Sequence, residues 1–432
     1  MPETPATAAT AECGCPEFRR EMHSTRRTFL KGSAAVAGAA AFETMTGGVF
    51  RQLAFGAGGT AANVLVVVSL RGGADGLSMV VPHGDPAYAV ARPRIAVPTS
   101  ALLAKDAMFG LHPAFKPLLP MWQAGTFGAV QAVGLPQPNR SHFAAMEEME
   151  DADPGSAARR GWLNRMVGLD RAASPMEAVQ LGQPTVPTAL YGPAPVVAGA
   201  KLSSIRLASP RNRDAARRHR RSMNMTWGSA RGPLGRGARS AMAAATTLRP
   251  LTTRTERPRG GADYPKGDLG VALADTARLL RAGIGVEVVS IDYGDWDMHV
   301  GLGTVQGGAM RNNVTELATA LAAFFTDLGS LASRVTVVTI SEFGRRVAEN
   351  GGRGLDHGFG NAMLLLGAGV RGGQVHGSWP GLGSQRLVSG DLNVTRDYRS
   401  VLTEVLRSRF PTTDTSRVFP GFRPETVGTM RL

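Results

Sequence analysis

The chain contains the run Val335-Thr-Val-Val-Thr-Ile340, which leads directly into Ser341-Glu-Phe-Gly-Arg345. Six consecutive apolar or β-branched residues predict a strand that is buried on both faces. A predicted strand over 286–291 and a predicted helix over 314–328 precede it, and together they form a strand-helix-strand crossover. Strands that alternate with helices predict an α/β fold with a mostly parallel central sheet flanked by helices.

The rest of the chain continues this alternation. Further strands are predicted over 64–70, 127–133 and 361–367, and further helices over 112–123, 141–150, 269–280 and 398–409. Residues 165–262 contain frequent Pro, Gly and Arg without strand periodicity, so we expect a cap insertion there. The predicted organisation is a leader over 1–57 and one α/β domain over 58–432 that carries an Arg-rich cap insertion at about 165–262.

The positive charge is concentrated in one segment. The formal net charge is +14, and residues 206–259 hold fourteen Arg against Asp214 and Glu256. A nucleic-acid surface would need aromatic partners among these arginines, and Trp227 is the only aromatic residue in the segment, so no nucleic acid is expected. Two interpretations remain: a poorly packed insertion, or a basic rim that attracts an anionic small-molecule or cell-envelope substrate.

The N-terminus carries an export signal. Residues 25–31, Thr-Arg-Arg-Thr-Phe-Leu-Lys, resemble the twin-arginine motif, and the Ala-rich stretch 32–42 follows them. That stretch is too short for a stable membrane span. The protein is therefore predicted to be exported by the twin-arginine pathway to a periplasmic, cell-wall or extracellular location. The alternative is a basic leader in which the two arginines occur by chance.

Carboxylates and imidazoles follow the predicted strands at the points where those strands end. Because the carboxyl ends of parallel strands meet at one crevice, these side chains are expected to lie close together. Carboxylate and imidazole are the ligands of hydrolytic metal sites, so a divalent metal is expected, with Zn, Ca or Mg as candidates. The candidate metal ligands are Asp75, Asp297, His299, Glu342, Asp356 and His357.

A second group of candidates surrounds the predicted start of a helix. Ser141 is a favourable N-cap residue, which by itself requires no function. The same position places its hydroxyl where a helix N-terminus attracts an anion, and a metal ion nearby would make that hydroxyl a nucleophile. The candidate catalytic residues are Ser141, His142, Arg140 and Arg345, with one of the two arginines expected to clamp the anion.

Several motifs, taken in their order along the chain, resemble those of a known family. They are 70–77 (Leu-Arg-Gly-Gly-Ala-Asp-Gly-Leu), 139–143 (Asn-Arg-Ser-His-Phe), 296–299 (Trp-Asp-Met-His), 341–345 (Ser-Glu-Phe-Gly-Arg), 355–358 (Leu-Asp-His-Gly) and 395–399 (Thr-Arg-Asp-Tyr-Arg). On these motifs the chain is identified as a member of domain-of-unknown-function family 1501, an exported bacterial family. The order of the elements also resembles the alkaline-phosphatase-like superfamily, which includes phosphatases and sulfatases.

The superfamily resemblance implies roles for individual residues. It implies that Asp75 is a metal-bridging carboxylate, that Ser141 is the nucleophile, and that Asp297, His299 and His357 bind metal. Glu342 falls where the superfamily has Asp-His, which implies that one imidazole is missing. The consequence is the loss of one metal, a preference for Ca²⁺ or Mg²⁺ over Zn²⁺, or the loss of catalysis.

Two functional hypotheses follow from these observations. The first is an exported metal-dependent hydrolase of phosphate or sulfate esters. The second is a catalytically degenerate envelope protein that binds an anionic ligand or a protein partner. A stoichiometric metal is required by the first and not by the second.

Overall fold

The computed structural model describes residues 61–431, except 154–155, 157–158, 170–173, 208–211 and 254–255. The leader predicted over 1–57 lies outside the described residues. The strands are β1 Val64–Leu70, β2 Val80–Val81, β3 Gly110–Leu111, β4 Phe127–Gly134, β5 Ala178–Leu181, β6 Val196–Gly199, β7 Val288–Tyr293, β8 Val335–Ile340, β9 Asn361–Gly367, β10 Val375–His376 and β11 Arg396–Asp397.

Helices connect most of these strands. The α-helices are α1 Gly76–Met79, α2 Pro86–Ala91, α3 Leu119–Gln123, α4 His142–Asp151, α5 Trp162–Val167, α6 Arg213–Trp227, α7 Gly232–Thr253, α8 Asp268–Arg281, α9 Ala309–Leu328, α10 Tyr398–Arg409 and α11 Thr415–Val418. Short 3₁₀-helices span Thr99–Ala101, Pro113–Leu118, Thr188–Leu190, Leu202–Ser204, Gly329–Arg334 and Ser384–Arg386.

Within the described residues, nine strands form the central sheet. Their order is β10-β4-β9-β8-β1-β7-β5-β6, and β11 also pairs with β4, while β2 and β3 form a separate antiparallel pair. β9 runs antiparallel to its neighbours β4 and β8, and the other described pairs of this sheet are parallel. The predicted fold class, a mostly parallel sheet flanked by helices, is confirmed.

The central strand β1 shows why its sequence is apolar without interruption. Val66 and Val68 point into one hydrophobic core, and Leu65 and Val67 point into another on the opposite face of the sheet. Because helices cover both faces, neither set of alternate side chains meets water. All seven residues of β1 are buried for this reason.

Most predicted element bounds agree with the structure. β8, β1, β9 and α10 begin and end where the sequence predicts. The strand predicted over 286–291 is found two residues later, as β7 Val288–Tyr293. The helix predicted over 112–123 is divided into the 3₁₀-helix Pro113–Leu118 and α3. Pro117 and Pro120 lie in this stretch, and each lacks the N–H that a continuous α-helix would use.

The span 165–262, expected as a cap insertion, contributes to the sheet. β5 and β6 lie within it and extend the sheet beyond β7. Each has four residues, too few to show strand periodicity in the sequence. α7 also packs on the core through Ala244 and Leu248, so the loose packing expected of the Arg-rich segment does not apply to α7. The described side chains of α6 are half-buried or exposed.

Among the described residues, one helical segment is long and apolar enough to cross a membrane. It spans Ala309–Arg334 and includes α9. Leu317, Leu321 and Phe324 of this helix are fully buried in the protein core. The apolar face of α9 is therefore covered by the rest of the fold.

His112 gives the fold a measurable pH dependence. The residue is 1 % exposed, and its Nδ1 accepts a hydrogen bond from the backbone N–H of Ala114 at the start of a 3₁₀-helix. Burial lowers the pKa of His112 to about 4, with a further contribution from the positive charge of Arg311. The unfolded chain therefore takes up a proton at a higher pH than the folded protein does, and falling pH favours unfolding.

We expect His112→Asn to remove this dependence, because Asn is a good N-cap and does not titrate. Between pH 7 and pH 5 the native protein should lose about 2 kcal/mol more unfolding free energy than the variant. Urea unfolding at the two pH values measures this difference. Equal losses in the two proteins would contradict the assignment.

Candidate metal centre

Four segments meet at one edge of the sheet. Asp297 and His299 follow β7, Glu342 follows β8, and His142 opens α4 after β4. These strands are parallel, so their carboxyl ends lie at the same edge. His357 precedes β9, whose antiparallel direction brings its amino end to that edge as well.

Three imidazoles converge on a single carboxylate oxygen. Asp297 Oδ1 lies 3.0 Å from Nε2 of His299 and 3.5 Å from Nε2 of both His142 and His357. The Nε2 atoms of His299 and His357 are 2.9 Å apart. His142, Asp297 and His357 each offer one ligand atom, and these atoms all lie within 4.8 Å of one another.

Each of these imidazoles is oriented through its other ring nitrogen. Nδ1 of His142 lies 2.8 Å from Glu342 Oε1, and Nδ1 of His299 lies 3.2 Å from Asp356 Oδ1. Nδ1 of His357 lies 2.8 Å from the backbone oxygen of Arg140. A carbonyl oxygen only accepts, so Nδ1 of His357 carries a proton. Its Nε2 presents a lone pair to the cluster when the ring is neutral and donates to Asp297 when the ring is protonated.

The ionisation of the cluster follows from its buried charges. Burial alone would raise the pKa of Asp297, but hydrogen bonds from the three imidazoles and the charge of Arg345 hold it well below its usual value. Burial lowers the pKa of His142, yet its bonds to Asp297 and Glu342 outweigh this and raise it to about 9. The hydrogen bond to Asp297 also raises the pKa of His299. The carboxylates therefore favour a cation at this point.

The donor atoms suit a divalent metal. A tetrahedral ion with bonds of about 2.0–2.1 Å holds its donors about 3.3 Å apart. His142 and His357 each place Nε2 3.5 Å from Asp297 Oδ1, close to that value, and the three candidate ligand atoms all lie within 4.8 Å of one another. Oriented imidazoles with carboxylate or carbonyl partners on Nδ1 are also the usual surroundings of a metal-binding histidine. The residues present therefore fit a metal ion.

The structure brings together most of the predicted metal ligands, with two changes of role. Asp297, His299 and His357 point to one another, as expected. Glu342 and Asp356 instead contact Nδ1 of His142 and His299, so they orient the imidazoles. Glu342 is 1 % exposed and also accepts hydrogen bonds from the N–H of Gly72 and the hydroxyl of Ser341.

His142 corrects the expectation that an imidazole is missing. The sequence placed it with the catalytic group beside Ser141, whereas its Nε2 lies among the candidate ligand atoms. The direction of the His142 side chain follows from its distant partners Glu342 and Asp297, and no pattern in residues 139–143 indicates it. His142 is buried and Ser141 is exposed.

Asp75 and Arg345 do not have the predicted roles. The carboxylate of Asp75 forms a buried ion pair with Arg92, at 2.5 Å and 2.9 Å, so its two oxygens are already bound. Arg345 is 2 % exposed and donates to the carbonyls of Gly73 and Leu355 and to Asp297 Oδ1. A guanidinium bound in this way holds the loops together and has no exposed edge for an anion.

Ser141 and Arg140 lie at the surface beside the cluster. Ser141 is the N-cap of α4, but its hydroxyl makes no capping hydrogen bond. The Arg140 side chain is 41 % exposed and forms an ion pair with Asp391, while its backbone oxygen accepts from His357. Both residues therefore adjoin the candidate metal centre without contributing a ligand atom to it.

Comparisons with known proteins agree with the sequence motifs. The family model described as a protein of unknown function (DUF1501) matches residues 108–414, and the twin-arginine translocation signal model matches residues 23–42. The second match supports export to the periplasm or envelope. No curated protein matches the chain.

Solved structures of alkaline-phosphatase and sulfatase type align with the chain at low similarity. The periplasmic domain of EcEptC from Escherichia coli, in complex with Zn, is 10% identical, with 86% of this chain and 92% of that chain covered and a TM-score of 0.35. PsFucS1 sulfatase from Pseudoalteromonas sp. is 11% identical, with 91% and 75% covered and a TM-score of 0.33. Alkaline phosphatase from the Antarctic bacterium TAB5 is 11% identical, with 73% and 94% covered and a TM-score of 0.26. At these scores the likeness assigns no role to any residue.

We expect Asp297→Asn to lower the pKa of His142 by at least about one unit in EDTA-treated protein, because burial then acts against a single carboxylate. NMR titration of the imidazole measures this change. Asp295→Asn is the matched control, since Asp295 is exposed in the same loop and Asn tolerates its positive φ of 66°. An unchanged pKa in the Asp297 variant would show that this carboxylate does not control the cluster.

Export should depend on one arginine pair. Replacing Arg26 and Arg27 by Lys is expected to leave the protein in the cytoplasm, because the translocase recognises the pair and not its charge. The matched control replaces Arg19 and Arg20 by Lys, since that pair lies outside the matched signal. Fractionation followed by immunoblotting distinguishes the two, and normal export of the first variant would refute the assignment.

Proposed function

The chain belongs to the DUF1501 family of proteins of unknown function, and on the geometry of its imidazole cluster we propose that it is an exported metal-dependent hydrolase of phosphate or sulfate esters. One observation carries this proposal. Three histidine Nε2 atoms lie 3.0–3.5 Å from Asp297 Oδ1, and each ring is oriented through Nδ1 by an oxygen acceptor. Such convergence requires a cation between the donors or protons shared among them.

His142, Asp297 and His357 would hold the ion, with His299 beside them. Imidazoles suit Zn²⁺ and other transition metals, whereas Ca²⁺ and Mg²⁺ prefer oxygen ligands. Of the three metals expected from the sequence, this donor set favours Zn²⁺. When bound, such an ion polarises an ester oxygen and lowers the pKa of a nearby hydroxyl.

Ser141 is the proposed nucleophile. Its hydroxyl is exposed at the N-terminus of a ten-residue helix, where the backbone N–H groups and the helix dipole stabilise a negative charge. The next residue, His142, points into the cluster, so the helix that presents the hydroxyl also presents a candidate ligand. In the proposed reaction the hydroxyl of Ser141 gives its proton to solvent, and its oxygen attacks the phosphorus or sulfur atom. The ester bond breaks, and the leaving oxygen takes a proton from solvent. A water molecule then hydrolyses the ester on Ser141, which frees phosphate or sulfate and restores the hydroxyl.

The second candidate function is an envelope protein that binds an anionic ligand without turnover. The burial of Arg345 favours it, because an arginine expected to clamp the reacting group is unavailable. The same pair of measurements separates the two functions: metal content, and hydrolysis of phosphate and sulfate esters.

We expect the purified protein to contain about one equivalent of a transition metal and to lose it in His357→Ala, with a fall in affinity of more than about 100-fold. His219→Ala is the matched control, because His219 lies on the solvent-facing helix α6. Elemental analysis measures the metal. A metal-free native protein, or full metal retention in the His357 variant, would refute the metal centre.

Ser141→Ala is expected to keep the metal and to lower ester hydrolysis by at least about 10³-fold, because the nucleophile is removed and the ligands are not. A panel of phosphate and sulfate monoesters and diesters measures the rate. If the metal is present and neither the native protein nor the variant hydrolyses any ester, the protein is the non-catalytic binder. Full activity in the variant would exclude Ser141 as the nucleophile.

A further inference from the structure

A buried carboxylate holds two arginines beside the candidate metal centre. Asp391 is 1 % exposed, and its Oδ2 accepts hydrogen bonds from Nε of Arg140, at 3.2 Å, and from Nη2 of the same residue. Its Oδ1 lies 3.4 Å from Nε of Arg346. Two guanidinium groups and one carboxylate leave a net charge of +1 on this trio.

The main chain places the trio at the rim of the cluster. The backbone oxygen of Arg140 accepts from Nδ1 of His357 at 2.8 Å. The backbone N–H of Arg346 donates to the backbone oxygen of Asp356 at 3.0 Å. Both arginines are therefore attached to the loop that supplies a candidate ligand.

The arrangement is also anchored from the other side. Arg346 and Asp391 pair through an antiparallel backbone bridge, and a second bridge joins Val388 to Asp391. Nη2 of Arg346 donates to the backbone oxygen of Ser389 at 2.8 Å. These contacts orient the guanidinium before any ligand arrives, which reduces the entropy that binding would otherwise lose.

Both guanidinium groups retain exposed donors. The side chain of Arg140 is 41 % exposed and that of Arg346 is 39 % exposed. Within the described part of the chain, Nη1 of neither residue makes a hydrogen bond. A tetrahedral oxyanion would be favoured over a carboxylate, because it offers separate oxygens to the two guanidinium groups and each adds a charge-assisted hydrogen bond.

We propose that Arg140 and Arg346, held by Asp391, form a binding subsite for a phosphate or sulfate group of the substrate. The inference rests on the proposed function, since it assigns the anion contact of that same site. Arg346 thereby takes the part that the sequence suggested for Arg345. Neither arginine contributes a ligand atom to the candidate metal centre, so the subsite and the metal can be tested separately.

Isothermal titration of the purified protein with inorganic phosphate, before and after EDTA treatment, tests the subsite. We expect Arg346→Gln to weaken phosphate binding by about tenfold in both states, which is the loss of one charge-assisted hydrogen bond. Arg407→Gln is the matched control, because it removes one exposed positive charge on α10 and should leave binding unchanged. Equal binding by the two variants would overturn the proposal.

Two further measurements test whether the guanidinium of Arg346 itself binds a tetrahedral oxyanion. Arg346→Lys keeps the positive charge but lacks the planar guanidinium with its paired N–H donors. The phosphate affinity of this variant should therefore lie between those of the native protein and of Arg346→Gln. An affinity as low as that of Arg346→Gln would still show that the guanidinium binds phosphate. Sulfate should displace phosphate, and acetate should do so at least tenfold less well. Equal displacement by acetate would overturn the assignment to a tetrahedral oxyanion. Metal content should be unchanged in both Arg346 variants. A failure of the proposed metal centre would instead be seen as a metal-free native protein or as full metal retention in the His357 variant.

Discussion

The buried carboxylate of Asp297 is the constraint on which the functional edge of the protein depends. Isolated at this depth, a carboxylate would be protonated, and here it stays charged because cationic groups approach it from several segments. Arg345 reaches it from the loop after β8 at 2.6 Å, and His142 reaches it from the start of α4. The charge of Asp297 therefore requires the start of α4, the loop after β8 and the loop before β9 to approach the same point.

A second layer of contacts makes this convergence specific. The ring centroid of Phe343 lies 4.9 Å from that of His142 and 4.8 Å from that of His357, so one apolar ring packs against both imidazoles. Glu342, the preceding residue, binds Nδ1 of His142. The residues directly after β8 therefore both pack against the imidazoles and orient His142. A metal ion would bind donor atoms whose orientation is already set.

The secondary structure could be predicted because its causes are local. The uninterrupted β-branched run of β8 predicts a strand, and the helical period of α10 predicts a helix. Neither prediction needs information from the rest of the chain. β5 and β6 could not be recognised, since four residues carry too little pattern and their stability comes from pairing with β7 and with each other. The family and the export signal could likewise be recognised from the motifs.

The sequence alone determined the long strands β1, β4, β8 and β9, most of the helices that flank them, and the edge of the sheet at which polar residues gather, because backbone propensity and apolar period act over a few neighbouring residues. The tertiary structure alone decided which of two adjacent polar side chains points inward. Ser141 is exposed and His142 is buried, and Arg346 is half-buried while Arg345 is buried. It also gave Asp75 to Arg92. The direction of each of these side chains depends on partners that the fold brings from distant segments of the chain. No pattern of neighbouring residues indicates which partners those are.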